Sequence, residues 1–101
     1  MVTRIQSVHF DADLKLIQFI EEKLSTLDHF LAKSTIEAKV VLTLEKVGKI
    51  QDKIVEILIN LPGRAVVAKS RNKSFERALF ETLQSIKRQI LKYKSKIQEK
   101  Q

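Results

Sequence analysis

The chain has 101 residues, 44% of them hydrophobic, a formal net charge of +7, no Cys, two Gly and one Pro. This length and composition predict one folded domain, residues 1–101, with a core of its own, and the lack of Cys excludes disulfides, thiolate metal sites and cysteine nucleophiles. No apolar stretch approaches the roughly 20 residues of a membrane-spanning helix, and no signal-peptide pattern opens the chain, so we expect a cytoplasmic protein without a membrane partner.

The first elements predicted along the chain are a strand and an amphipathic helix. Residues 2–7 are rich in β-forming side chains, and Asp11 and Asp13 are candidate N-caps of a helix over about residues 12–31. Apolar residues recur there at spacings of three and four, which gives the helix one apolar face. These residues are Leu16, Ile17, Ile20, Leu24, Leu27 and Leu31.

Three strands joined by short turns are predicted next. Residues 35–46 alternate between apolar and polar side chains, which is typical of a strand with one buried face. A break around Gly48 leads to a second strand, which has Val55, Ile57, Ile59 and Leu61 on one face. The turn at Pro62 and Gly63 leads to a third strand over residues 65–71. Because the connections are short, we expect these three strands to pair antiparallel.

A second, longer amphipathic helix is predicted over about residues 75–97, with Ser74 as its candidate N-cap. Its apolar face consists of Phe75, Leu79, Leu83, Ile86, Ile90, Tyr93 and Ile97. The element order is therefore β-α-β-β-β-α. This order predicts an α+β domain in which both helices pack on one face of a four-stranded sheet.

The residues of the chain do not suggest an enzyme. His9 and His29 are the only histidines, one near a predicted strand end and one in the last turn of the first helix, and both are interpreted as surface or boundary residues. Each glycine lies in a turn, so there is no Gly-rich phosphate loop. The carboxylates of the first half are interpreted as solvated charge. We expect no catalytic site, no metal and no cofactor.

Positive charge is concentrated at one end of the chain. Residues 64–101 contain 11 Lys and Arg against 3 Asp and Glu, whereas residues 1–63 have a balance of −1. The cations of the second helix occupy the sides that are not apolar. Like charges four residues apart, such as Arg88 and Lys92, cost a few tenths of a kcal/mol each, a cost that is offset when a polyanion binds. This pattern favours a nucleic acid as partner.

The aromatic residues bear on how a nucleic acid would be recognised. Phe75 and Tyr93 fall on the apolar face of the second helix, and Phe19 and Phe30 flank that of the first. An exposed aromatic platform for base stacking is therefore not predicted. Recognition through phosphate positions and RNA shape is favoured instead.

The order of elements, together with the charge of the second helix, resembles the ribosome hibernation promoting factors and the related ribosome-associated inhibitor A. The run from Arg88 to Lys96 is similar to their Arg-Gln-Leu-x-Lys-x-Lys-x-Lys segment, and residues 75–79 resemble their Met-Tyr-x-Ala-Ile segment. Lys23 and residues 27–30 of the first helix also match. The chain ends just after the second helix, so it resembles the short form, which has no C-terminal dimerisation domain.

The resemblance implies a bacterial stress-response factor that binds the rRNA of the small ribosomal subunit and inhibits translation by occlusion. It would compete with mRNA and with tRNA at the A and P sites, and we expect it to be a monomer off the ribosome. The resemblance implies rRNA contacts for Lys23, Arg88, Lys92, Lys94 and Lys96. Charge geometry alone adds Lys69, Arg71, Arg77 and Lys87.

Two other functions stay open on the sequence alone. One is a different RNA-binding role, as a double-stranded RNA binder or a ribosome assembly factor, which competition with mRNA or tRNA would distinguish. The other is a protein-interaction module that docks on an acidic partner. Loss of binding after RNase treatment would argue against that module.

Overall fold

The computed structural model describes residues 1–31 and 36–99 and has the predicted β-α-β-β-β-α order. The elements are β1 Val2–Val8, α1 Leu14–Ser25, a 3-10 helix Thr26–His29, β2 Glu37–Val47, β3 Ile50–Leu61, β4 Arg64–Asn72 and α2 Phe75–Glu99. The side chains of Ile50 and of residues 97–99 are outside this description, so the predicted apolar position of Ile97 is too.

The four strands form one mixed sheet in the order β1-β2-β3-β4. The prediction for the later strands is confirmed, because β2, β3 and β4 pair antiparallel, while β1 pairs parallel with β2. Gly48 and Gly63 have φ angles of 62° and 78° in the two hairpin turns. A side chain with a Cβ rarely adopts this left-handed conformation, so glycine suits both turns.

The core lies between one face of the sheet and both helices, as predicted. Alternate residues of β2 and β3 point into it, among them Val40 and Ile57, which are fully buried. Ile20 and Leu24 of α1 and Leu79, Ile86 and Ile90 of α2 belong to the same buried cluster. Each fully buried Leu or Ile side chain contributes about 1.5–3 kcal/mol of transfer free energy. Burial of both helix faces therefore fixes where the opposite faces point.

Both helices begin where the capping residues predict. The Asp13 carboxylate accepts a hydrogen bond of 2.8 Å from the Leu16 amide, and the Ser74 hydroxyl accepts one of 3.2 Å from the Arg77 amide. These bonds satisfy amide groups that have no partner inside the first turn of a helix. Of the two candidate caps of α1, Asp13 is the one used.

The predicted C-terminal boundary of the first helix is wrong. The α-helix ends at Ser25 rather than near residue 31, and the 3-10 helix Thr26–His29 follows it. The hydroxyls of Ser25 and Thr26 donate to the carbonyls of Glu22 and Lys23 at 2.6 and 2.7 Å. Such bonds offer these carbonyls an alternative to a continued α-helix. Leu27 stays buried in the tighter helix, so the apolar face continues.

Among the helices of residues 1–31 and 36–99, none has both the length and the apolar character to cross a membrane.

Candidate nucleic-acid interface

The long helix α2 is held to the sheet by three polar contacts in addition to its buried face. The buried Thr82 hydroxyl lies 2.7 Å from the Ala78 carbonyl and 3.3 Å from the Val55 carbonyl of β3. The Gln89 amide donates to the Val67 carbonyl of edge strand β4 at 2.9 Å. These contacts fix the rotation of α2, and therefore the direction of its exposed side chains.

A third contact anchors α2 nearer its C-terminal end. The Tyr93 hydroxyl donates a 2.8 Å hydrogen bond to the carbonyl of Pro62 in the β3–β4 turn. A phenol needs a polar partner when its ring is partly buried, and the turn supplies one. The segment that carries the predicted RNA-binding cations is thus braced against the sheet.

The exposed side of α2 carries most of the predicted site residues. We define the α2 basic face as Arg77, Arg88, Lys92 and Lys96, which follow one side of the helix, together with Lys94, which lies about 160° around the helix from Lys92. All of these residues are exposed except Lys94, which is half-buried. Among the side chains that the structure describes, none of the five is in an ion pair. Their charge is therefore available to an anionic partner.

Lys23 and Lys87 come together across the groove between α1 and α2. The Lys23 Nζ atom lies 5.5 Å from the ring centroid of Phe19, and the Lys87 Nζ atom lies 5.1 Å from that of Phe30. An ammonium group over an aromatic face is attracted by the electron density of the ring. Both lysines line a groove of about 340 Å³. The structure thus places these two predicted site residues on the same groove, although they are distant in sequence.

Lys69 and Arg71 lie away from the α2 basic face. They occupy alternate positions of β4 on the sheet face opposite the helices, where Lys69 pairs in register with Glu56 and Arg71 with Ile54. Arg71 makes hydrogen bonds of 2.7 and 3.2 Å to Glu45 and one of 3.2 Å to Asp52. These two residues therefore do not extend the surface of α2, and their part in RNA binding stays a prediction.

Two carboxylates of the first half are ion-paired and are not simply solvated, as the sequence had suggested. They belong to the Arg71 cluster, which consists of Arg71, Lys73, Glu45 and Asp52. Lys73 donates to Asp52 at 2.9 Å, and the Asp52 side chain is only 18% exposed. The hydrogen bond from Lys73 is the largest cause that lowers the pKa of Asp52, and the hydrogen bond from Arg71 is the next largest. The hydrogen bond to Glu45 is the largest cause that raises the pKa of Arg71, and the hydrogen bond to Asp52 is the next largest. Asp52 and Arg71 therefore both stay charged at neutral pH.

Phe80 contradicts the expectation that α2 presents no exposed aromatic ring. Its side chain is 64% exposed and lines the same groove as Lys23 and Lys87. A signal for it was present in the sequence. At about 100° per residue, Phe80 lies about 120° around the helix from Ile86, outside the apolar face. The interpretation of the other aromatics is confirmed, since Phe75 is buried and Phe19, Phe30 and Tyr93 pack at the edge of the core.

The histidines occupy the predicted boundary positions. His9 follows β1 with a φ angle of 69°, and His29 ends the 3-10 helix rather than an α-helix. Both side chains are exposed. Within the described part of the chain, no three His, Asp or Glu side chains are grouped so that they could hold a metal ion.

The family model described as Sigma 54 modulation protein / S30EA ribosomal protein matches residues 3–98. The crystal structure of the Thermus thermophilus Protein Y N-terminal domain is 23% identical and superposes with a TM-score of 0.80 over 92% of this chain and 99% of that chain. A ribosomal subunit interface protein from Coxiella burnetii is 19% identical, with a TM-score of 0.77 over 94% and 99% of the two chains. No curated protein matches the sequence. At these identities, the two structures show that the fold is shared.

Proposed function

The chain belongs to the ribosome-associated family described as Sigma 54 modulation protein / S30EA ribosomal protein, and on that premise we propose that it is a ribosome hibernation factor. It binds the rRNA of the small subunit through the α2 basic face together with Lys23 and Lys87. It inhibits translation because it occupies the mRNA channel and the A and P tRNA sites. The Coxiella burnetii relative is itself described as a ribosomal subunit interface protein.

The observation that carries this proposal is the state of the cations on α2. Arg88, Lys92 and Lys96 are exposed, and within the described side chains no carboxylate forms an ion pair with them. By contrast, Arg71 and Lys73 on the other side of the molecule are neutralised by Glu45 and Asp52. Cations that are unpaired among the described side chains of one braced helix suit a row of phosphates, because the helix fixes the backbone positions of these cations before binding.

Occlusion is the mechanism that this architecture supports. The domain measures 53 × 23 × 18 Å and has a continuous core under the basic surface. A rigid body of this size excludes other ligands from a channel that it fills, and it needs no reactive group to do so. Phosphate contacts would set its orientation on the RNA, since such contacts position a protein without reading sequence.

Competition on purified small subunits tests the proposal. Labelled protein is titrated onto subunits with and without prebound mRNA and initiator tRNA, and the reverse titration is run with the protein bound first. We expect each ligand to weaken the other by the same factor, because linkage between two binding equilibria is reciprocal. Binding of both to one subunit at full affinity would contradict occlusion. Small subunits bound to mRNA alone separate blockage of the channel from blockage of the tRNA sites.

A further inference from the structure

The groove between α1 and α2 combines an exposed aromatic ring with a cation on each wall. Phe80 of α2 is 64% exposed at its rim, and Phe19, Leu79 and Leu83 supply apolar surface. The volume of about 340 Å³ is at the small end of ligand sites, which hold about 300–1,000 Å³. The groove has room for one planar group.

The charges of the groove decide what kind of planar group fits it. Lys23 and Lys87 stand on opposite walls, and their ammonium groups are held near the faces of Phe19 and Phe30. Among the lining residues that the structure describes, Glu76 is the one carboxylate. An apolar protein side chain would cover these ammonium groups without compensating them, which is costly. An unpaired base brings its own flanking phosphates to the lysines, and Glu76 can accept from an amino group on the base.

We propose that the α1–α2 groove takes one unpaired base of the bound RNA, which stacks on Phe80 while Lys23 and Lys87 bind the phosphates on either side. This inference rests on the proposed function to the extent that RNA is the partner. It adds a point of recognition that is absent from the α2 basic face, whose cations contact phosphates whether or not the RNA bases are paired. Duplex RNA cannot use the groove, because its bases are stacked inside the helix.

Two RNA hairpins test the inference on the intact chain. They share one stem, and one of them carries a single bulged 2-aminopurine, a fluorescent adenine analogue that is quenched on stacking. We expect the protein to bind the bulged hairpin about 5- to 100-fold more tightly, as base–aromatic stacking provides, and to quench its fluorescence. Phe80→Ala should abolish both the preference and the quenching, and Phe80→Trp should retain them.

A matched control separates stacking from general loss of apolar surface. Leu14 is 68% exposed on α1 and lies outside the groove, so Leu14→Ala should leave the preference intact. The salt dependence of binding to the paired stem should be the same for wild type and Phe80→Ala, since this substitution removes no cation. Equal binding of the two hairpins by the wild type, or quenching that persists in Phe80→Ala, would overturn the inference.

Parallel titration of small subunits keeps the two proposals distinguishable. If the wild type prefers the bulged hairpin but does not bind small subunits, the groove inference stands and the hibernation function is wrong. If it binds small subunits but treats both hairpins alike, the function stands and the groove inference is wrong. If Phe80→Ala weakens small-subunit binding while both hairpins bind alike, Phe80 contacts the subunit in another way than by stacking on an unpaired base, which also overturns the inference.

Discussion

Arg71 of β4 donates to both carboxylate oxygens of Glu45 of β2, with distances of 2.7 Å from Nη1 to Oε1 and 3.2 Å from Nη2 to Oε2. The two strands are not neighbours, so the pair reaches across β3, where Ile54 stands in register with Arg71 and is only 6% exposed. Two parallel hydrogen bonds are the strongest way for an arginine to bind a carboxylate. This cation therefore already has a partner within the protein, unlike those of the α2 basic face.

This difference predicts unequal roles for two arginines. Arg88→Gln is expected to weaken small-subunit binding and to reduce the salt slope of log K by about one, as the loss of one phosphate contact does. Arg71→Gln removes the same charge from the opposite side, and we expect the affinity and slope to stay at the wild-type values. Filter binding of small subunits between low and moderate salt measures both variants. An equal fall in slope for Arg71→Gln would show that the outer sheet face also touches RNA.

The same cluster predicts a contribution to acid sensitivity. Hydrogen bonds from Lys73 and Arg71 lower the pKa of Asp52 in the folded protein. The resulting stability is present above the unfolded pKa, which is about 4, and it is lost as the pH falls through the lower folded pKa. Asp52→Asn should therefore reduce the loss of stability between about pH 5 and pH 2. Urea unfolding followed by circular dichroism across this range measures it.

Lys73→Gln provides the control, since it removes the donor that lowers the pKa of Asp52 most. It should reduce the acid sensitivity in the same direction as Asp52→Asn, but only in part, because Arg71 remains. If both variants lose stability with acid as steeply as the wild type, other groups dominate acid unfolding.

Local sequence signals predicted the fold well because they act over a few residues. Capping by Asp13 and Ser74, alternation in β2 and β3, and glycine at the two turns were all correct for this reason. The end of α1 was missed because Leu27 keeps the helical spacing while the chain tightens to a 3-10 helix. The parallel pairing of β1 with β2 was not predicted, although a helix between two strands is the usual connection of a parallel pair.

The candidate site was less predictable, because it depends on which elements meet. The ion pairs of Arg71 could not be predicted, since its partners lie on β2 and β3 and cannot be read from β4 alone. The convergence of Lys23 and Lys87 likewise depends on how α1 packs beside α2. The exposure of Phe80 could have been predicted, because its position outside the apolar face follows from helical geometry.

Thr82 offers a test of what a buried hydroxyl on α2 contributes to the stability of the fold. Its hydroxyl is fully buried between the Ala78 carbonyl and the Val55 carbonyl of β3. Thr82→Val keeps the shape of the side chain but removes the hydrogen bond, so we expect the free energy of unfolding to fall by about 0.5–1.5 kcal/mol. Denaturant titration at neutral pH measures the change. A more stable Thr82→Val variant would mean that burying the hydroxyl costs more than its hydrogen bond returns.

Binding should depend steeply on salt, because it rests on contacts between cations and phosphates. If about five phosphates are neutralised, log K should fall with a slope of roughly −3.5 to −4.5 per decade of salt. Lys23, Arg88, Lys92, Lys94 and Lys96 are the five cations for which the family resemblance implies such contacts. Fluorescence anisotropy with small subunits over a salt series measures the slope. A slope near zero would contradict recognition of the RNA backbone.

Reversal of two charges on α2 is the strongest test of the proposed surface. Arg88 and Lys92 are exposed one helical turn apart, so Arg88→Glu with Lys92→Glu should change stability by no more than about 0.5 kcal/mol per site. The two carboxylates would repel the phosphates that the cations attract, and we expect small-subunit binding to be abolished in sedimentation assays. Circular dichroism should remain that of the wild type.

Lys15→Glu with Lys49→Glu is the matched control for this variant, because it makes the same change in net charge at exposed positions in the first turn of α1 and in the β2–β3 turn. Long-range attraction to RNA depends on total charge and would fall alike in both double variants. Contacts at defined phosphates depend on position, so only the α2 variant should lose binding. Similar losses in both would show that net charge alone drives association, and the α2 basic face would then have no special role.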